Sequence, residues 1–353
     1  MENLINRIIT ISGEPASGKS TVINKLKEDY EKKGYRVHIW AIGHEFRKIA
    51  QEKGLSIKEF NEYMEKRAGI DEYIDGRVAE QGKEINKEKR PNDIYIFDSR
   101  LAWYNIPESI SVRLTADSNI AGKRVFEDAT RGEEDSYSTL EEAIADTENR
   151  KQSEVERYKK RYGVDLQNPD NYNLVIDTSF SNIEDIAKVI EDCLELEMQG
   201  EFYAKKWTTP KKLLPMQDEM DTLSHGTYYT LEEMENIIKE EGFKPSAEID
   251  VIEVDKKLYI LEGHHRNFAT GRIGKTLVPY YTVAKDDEQV KGYSRDSAKK
   301  RAILDKKFLN GHEWLFEVNG EKFSYNDIYP GIYEEIEKRE AEDRQKQTEG
   351  EER

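Results

Sequence analysis

The octapeptide at residues 13–20, GEPASGKS, follows an apolar run at residues 8–12 and opens a helical segment at 21–33. Few folds can hold a loop of this kind. Its glycines let backbone approach an oxyanion, Lys19 can reach the outer phosphates, and Ser20 offers a hydroxyl to magnesium. All of this sits at a helix N-terminus whose dipole favours negative charge. Gly13, Ser17, Gly18, Lys19, Ser20 and Thr21 are therefore expected to cradle a nucleoside triphosphate. A glycine-rich turn matching by accident is the bland alternative, and the strand before and helix after it speak against that.

Around this loop, residues 1–196 alternate short β-rich runs with helical segments. The runs lie at 8–12, 36–40, 94–98, 111–115 and 174–177. Such alternation predicts an α/β, three-layer P-loop domain with a mainly parallel sheet. Ser56, Ser138 and Ser181, each followed three residues later by glutamate, are expected to open helices by capping. At 353 residues the chain exceeds what one core usually serves, so a second domain is expected. A proline-bearing break in the periodicity places a linker at 197–210 and a smaller α+β domain at 211–330.

In that second part, Thr230 and Glu233 open a helix, runs at 249–254 and 258–262 read as a hairpin, and Gly263 ends the second run before a short helix. Another strand is expected at 277–283, and Asn319-Gly320 marks a tight hairpin turn. Residues 331–353 form a charged helical or disordered tail, with nine acidic and five basic residues from position 332 onward.

Composition narrows the functional classes. A formal charge of -17 argues against nonspecific nucleic-acid binding, although a local basic patch survives such an average. No apolar run approaches the roughly 20 residues that span a bilayer, and the start lacks a signal peptide's apolar stretch, so the expected location is cytoplasmic with no membrane partner. The single cysteine, Cys193, rules out an intrachain disulfide framework and is expected to pack in a core.

Asp98 closes the apolar run IYIF and is the candidate acidic partner of magnesium beside Ser20. Arg100, two residues on, is expected at the C-terminal sheet edge, where ligands bind in open α/β folds. In the helix around 148–161, Arg150, Glu154, Arg157 and Arg161 fall along one face. An ordinary solvated face explains that spacing equally well.

Over most of residues 7–190 the sequence resembles the cytidylate kinases of the archaeal and short bacterial type, within the nucleoside monophosphate kinases. The resemblance rests on IITISGEPASGKST, FRKIAQEKGLSIKEFNEYME (46–65), DSRLAW (98–103), RKQSEVERYKKRYGVD (150–165) and NLVIDTS (173–179). It implies an ATP- and magnesium-dependent phosphotransferase with Arg47 and Arg100 on the acceptor's phosphate. It further implies a lid whose Arg131 and Arg150, with Arg157, steady the transferred group. Asp75 falls where the family carries an acidic residue near the acceptor nucleoside, although IDGRVAE departs from the usual pattern. Cytidylate is the acceptor so implied.

The second constellation is Glu262-Gly263-His264-His265-Arg266, anion-binding residue types at one strand-to-helix turn. Phosphate is its natural ligand. A metal fits less well, because adjacent histidines on a helix point about 100° apart. A merely structural turn is the other alternative. Segment 211–284 resembles the ParB/sulfiredoxin fold, and LEGHHR resembles its free serine kinase branch. That likeness implies a second phosphate- or nucleotide-binding domain, with serine or a related alcohol as acceptor and Glu219, or Asp218, as the carboxylate. Gln217 stands at the family's position for that carboxylate. The competing expectation is a nucleotide-responsive DNA-binding or partitioning switch, against which stand the acidic charge and the lack of a helix-turn-helix. A third is a nucleotide-binding scaffold whose second domain has lost activity.

Overall fold

The computed structural model describes residues 6–41, 54–55, 70–128, 137–215, 230–285 and 316–351. Two compact units divide the chain. The first is Met1–Ser179 with Ile183–Lys206, and the second is Phe180–Asn182 with Trp207–Arg353.

The first unit contains strands β1 (Arg7–Gly13), β2 (Arg36–Ala41), β3 (Asp93–Asp98), β4 (Ile110–Thr115) and β5 (Leu174–Asp177). They lie in the order β2-β3-β1-β4-β5, and every pairing among them is parallel. Strands covered on both faces must be apolar throughout. Accordingly Ile8, Ile9, Ile11, Ile94, Ile96 and Phe97 are fully buried, each worth roughly 1.5–3 kcal/mol of burial. β2, at one end of that order, is never fully buried: Arg36 and His38 are exposed and its other residues half-buried.

Helices fill the connections: α1 (Lys19–Lys32), α2 (Ile70–Ile85), α3 (Ala102–Asn105), α4 (Ser118–Glu127), α5 (Leu140–Tyr162) and α6 (Ile183–Gln199). α1 buries Val22, Ile23, Leu26 and Tyr30, a single stripe one to two residues wide. The register pairs Ile11 with Asp98 and Gly13 with Leu114, so the ends of β1, β3 and β4 share one edge of the sheet. α4 and α5 meet where Gly122 has no side chain; a Cβ there would come within 2.6 Å of the Ile144 Cα.

The expected strands are all present, within a residue or so of their expected limits. Two helix starts differ: α6 begins at Ile183, so Asn182 and not Ser181 stands before it, and α5 is capped by the next hydroxyl along. Thr139, not Ser138, caps α5, its hydroxyl accepting from the Glu142 amide at 3.2 Å while the Glu142 carboxylate takes the Ser138 amide at 2.9 Å. Both residues have hydroxyls, and only the geometry of the turn decides between them. The Ser56–Glu59 signal lies outside the described residues. Cys193 is fully buried on α6, and burial raises its thiol pKa above the ordinary value.

The second unit holds β7 (Leu213–Leu214), β8 (Ile249–Val254), β9 (Lys257–Glu262) and β10 (Val278–Lys285), in the order β10-β8-β9-β7; β6 (Lys206–Thr208) stands at the boundary. β8 and β9 form the expected antiparallel hairpin, while β10 on β8 and β7 on β9 are parallel. Helices α7 (Leu231–Glu241) and α8 (His264–Arg272) accompany them, α7 opening with a full capping box between Thr230 and Glu233. Their core includes Leu214, Leu231, Ile238, Ile252, Tyr259 and Phe268. β11 (Phe316–Val318) and β12 (Glu321–Phe323) pair antiparallel across Asn319-Gly320, both at positive φ as a tight hairpin requires. α9 (Tyr325–Ile328) and α10 (Ile332–Glu351) follow. Residues 197–210, read from sequence as a linker, hold the end of α6, β6 and the first residue of a 3-10 turn, with Thr208 and Thr209 buried.

Candidate active site

Residues 13–20 join β1 to α1 at the shared sheet edge. Gly18 is the residue before the helix, in the left-handed region at φ 77°, and brings no side chain to cap it. The first turn contains no acidic residue. Its leading amides therefore keep their outward donors, and no first-turn carboxylate offsets the positive end of the helix. Gly13 is required for a different reason: a Cβ there would stand 2.6 Å from the Ser17 Oγ. That Oγ is itself buried without a hydrogen-bond partner, an unusual state for a hydroxyl and one that a phosphate oxygen would relieve.

Lys19 contacts Asp98 across the β1–β3 edge. Burial pulls its ammonium below the ordinary lysine pKa, with Asp98 opposing and Arg100 reinforcing that shift. The Ser20 hydroxyl and the Asp98 carboxylate are hard oxygen donors. Magnesium usually takes only one or two protein ligands and completes its shell with water and phosphate, so this pair suits it. Among the described residues no cluster of three His, Cys, Asp or Glu side chains offers a fuller metal cage.

Arg100 follows β3 and meets Glu154 of α5 bidentately, Nε to Oε2 at 2.8 Å and Nη2 to Oε1 at 3.1 Å. Burial disfavours the Arg100 charge, but Glu154 more than offsets this, and the guanidinium pKa lies above its ordinary value. One turn earlier on α5, Lys151 reaches Glu14 of the loop at 3.0 Å. Glu14 also accepts from Arg113 of β4 at 3.0 Å and from the Ala116 amide at 3.2 Å. From α5 it is thus Lys151 and Glu154 that enter the site. Arg150 and Arg157 are exposed, and the Arg157 guanidinium lies 5.2 Å from the centre of the Tyr158 ring.

Asp75, on α2, accepts from the Tyr162 hydroxyl at 2.8 Å and from Asn105 at 3.3 Å. Tyr162 in turn stacks on Tyr158 with centroids 5.8 Å apart. Arg47, Arg131, Asp218 and Glu219 lie outside the described residues.

Arg124, which no motif marks, and Thr178, inside NLVIDTS, hold the loop from behind. Arg124 of α4 donates to the Ala16 carbonyl at 3.2 Å and to the Thr178 carbonyl at 2.6 Å. The Thr178 hydroxyl donates to the Ser17 carbonyl at 3.0 Å. An arginine nine residues after β4 and a threonine just past β5 point to the site only through the rule that ligands sit at the C-terminal ends of parallel strands.

In the second unit Gly263 precedes α8 at φ 105°, again without a side-chain cap. His264 is buried, and burial, helped by His265, lowers its pKa to about 4, so it is neutral near pH 7. Arg266 turns back to donate to the Ala247 carbonyl at 2.9 Å, with Glu262 and Asp250 as its nearby negative charges.

A parallel sheet with a phosphate loop after its first strand, a lysine on that loop and an aspartate on the neighbouring strand define a P-loop phosphotransferase. Residues 8–180 match the model of the cytidylate kinase-like family. The cytidylate kinase of Methanococcus aeolicus is 32% identical over 189 residues, 52% of this chain and 95% of that one. That of Methanocaldococcus jannaschii is 32% identical over 193 residues, covering 53% and 97%. That of Pyrobaculum neutrophilum is 29% identical over 202 residues, covering 56% and 98%. Through its N-terminal unit the chain belongs to the cytidylate kinase-like family.

Proposed function

We propose that the first unit transfers the terminal phosphoryl group of ATP to a nucleoside monophosphate, with cytidylate as the preferred acceptor. The observation that carries this reading is the pairing at one sheet edge of two cations, Lys19 and Arg100, each answered by a carboxylate that a phosphate can replace. Lys19 would neutralise the β- and γ-phosphates, and the first-turn amides of α1 would orient them. Ser20 and Asp98 would hold magnesium, whose charge offsets that of the phosphate oxygens. Arg100, with Arg47, would grip the acceptor's phosphate, and Asp75 would face its nucleoside. Arg131, Arg150 and Arg157 would gather on the moving group, where negative charge peaks. A phosphate acceptor is already nucleophilic at neutral pH, so no general base is assigned.

A second reading concerns the other unit. Gly263 leaves the α8 N-terminus uncapped and free of acidic residues in its first turn, which favours a phosphate-bearing ligand there. Glu262, His265 and Arg266 would flank it, and Glu219 would take the proton if serine or a related alcohol were the acceptor.

The test is an acceptor screen with ATP and magnesium, offering nucleoside monophosphates, free serine and small alcohols. Wild type, Lys19→Ala and His265→Ala are compared. Transfer to cytidylate that Lys19→Ala abolishes is the expected result. Nucleotide turnover stimulated by DNA with no phosphorylated acceptor would instead favour the partitioning-switch alternative and end the kinase reading.

A further inference from the structure

We propose that Glu154 is a latch on the acceptor site: its carboxylate occupies Arg100 until the acceptor's phosphate takes its place, and the exchange releases one of the ties that pin α5. This rests on the reading of Arg100 as an acceptor-binding residue.

The geometry of the pair is that of a bound ligand. Both Glu154 oxygens meet the guanidinium fork, at 2.8 and 3.1 Å, with only 22% and 25% of the two side chains exposed. A phosphate presents two oxygens to the same fork, so the two anions compete for one set of donors. The charges around them decide the outcome. Facing Arg100 are Glu154 and Tyr158 from α5 and Asp98 from β3, with Lys19 of α1 beside them and already engaged by Asp98. A phosphate dianion arriving there leaves no further cation among these groups to hold Glu154 nearby, and like charge drives it off.

What moves with Glu154 is set by sequence spacing. Lys151 lies three residues earlier on the same helix and is tied to Glu14, a loop carboxylate only 8% exposed. α5 is thus fastened at adjacent turns, once to the acceptor's arginine and once to the triphosphate loop. Freeing the first tie loosens this stretch of the helix while Lys151 still joins it to the loop, so arrival of the acceptor is communicated to the loop through Lys151 and Glu14.

The test uses Glu154→Gln, which keeps shape and helix propensity and removes the charge. The acceptor KM for cytidylate is expected to fall about fivefold with no rise in kcat, a change equivalent to a partly exposed ion pair. Competition by cytidine, which carries no phosphate, stays unchanged, whereas a general loosening of the site would alter both. Hydrogen exchange supplies a second measurement: cytidylate accelerates exchange of the α5 amides at 151–158 in wild type and leaves them unchanged in the variant. A KM that rises or holds steady in Glu154→Gln overturns the latch. Arg100→Met separates the two claims, because unchanged cytidylate affinity in that variant overturns the acceptor assignment itself.

Discussion

Replacing Gly13 by alanine tests the loop geometry with one methyl group. The new Cβ would sit 2.6 Å from the Ser17 Oγ and 3.4 Å from both the Leu114 Cβ and its carbonyl oxygen. The Leu114 contacts are tight but tolerable; the Ser17 contact is not, and Ser17 is buried to 1% exposure with little room to withdraw. Overpacking of this kind costs about 1–3 kcal/mol, which lowers the melting temperature of a domain this size by roughly 2–10 °C. Ser17→Ala acts oppositely: removing a buried hydroxyl that has no partner stabilises the empty loop by about 1 kcal/mol. The double variant should recover most of the loss, with a coupling of about 1–2 kcal/mol. Gly18→Ala is the control, since its about 1–2 kcal/mol penalty comes from left-handed backbone and Ser17→Ala cannot relieve it. Scanning calorimetry measures all four variants, the relevant transition being the one that ATP with magnesium shifts. Gly13→Ala/Ser17→Ala remaining as unstable as Gly13→Ala alone would refute the steric argument.

Other consequences can be measured separately. Arg124→Met should raise the KM for ATP about tenfold, the equivalent of roughly one good hydrogen bond, while the acceptor KM changes little in steady-state kinetics. In the second unit, His264 titrates near 4 when folded against an ordinary 6.5. The unfolded chain therefore binds the extra proton first, and stability is full above about pH 6.5 and falls as pH drops toward 4, by at most about 3 kcal/mol. Urea titrations across that window should show the loss, and His264→Gln should flatten it. Thr139→Ala should weaken the start of α5 by about 1 kcal/mol, read as faster exchange of the amides at 140–143.

Much of the first unit was legible because its signals are local. A strand buried on both faces reads as a near-continuous apolar run, as β1 and β3 do, so these were plain in the sequence, and the loop at 13–20 announces itself by its glycines and lysine. Asp98 and Arg100 followed from strand polarity. What sequence could not supply was pairing over distance. Glu14 looks like an idle loop position, yet it gathers Arg113, Lys151 and the Ala116 amide from two other elements. Arg124 is unmarked in sequence and nothing in NLVIDTS says what Thr178 binds; they lie 108 and 161 positions from the loop residues they hold. On α5 the spacing puts Glu154 on one face with Arg150 and Arg157, yet it is Lys151 and Glu154 that turn inward, because spacing alone leaves open which way that face is turned. In the second unit, a pair of histidines that suggested positive charge proved to include one that burial keeps neutral.

Cys193 gives this chain a built-in chemical clock. Its sulfur is sealed inside α6 and held in the unreactive thiol form, so a thiol-specific reagent finds no target on the native protein. Labelling proceeds only through opening of that helix, and its rate reports the free energy of the opening with no engineered probe. Every variant of the loop and of α5 can be ranked on that scale. A reporter cysteine placed on the surface of α5 would react against a silent background, which makes its motion observable one helix at a time.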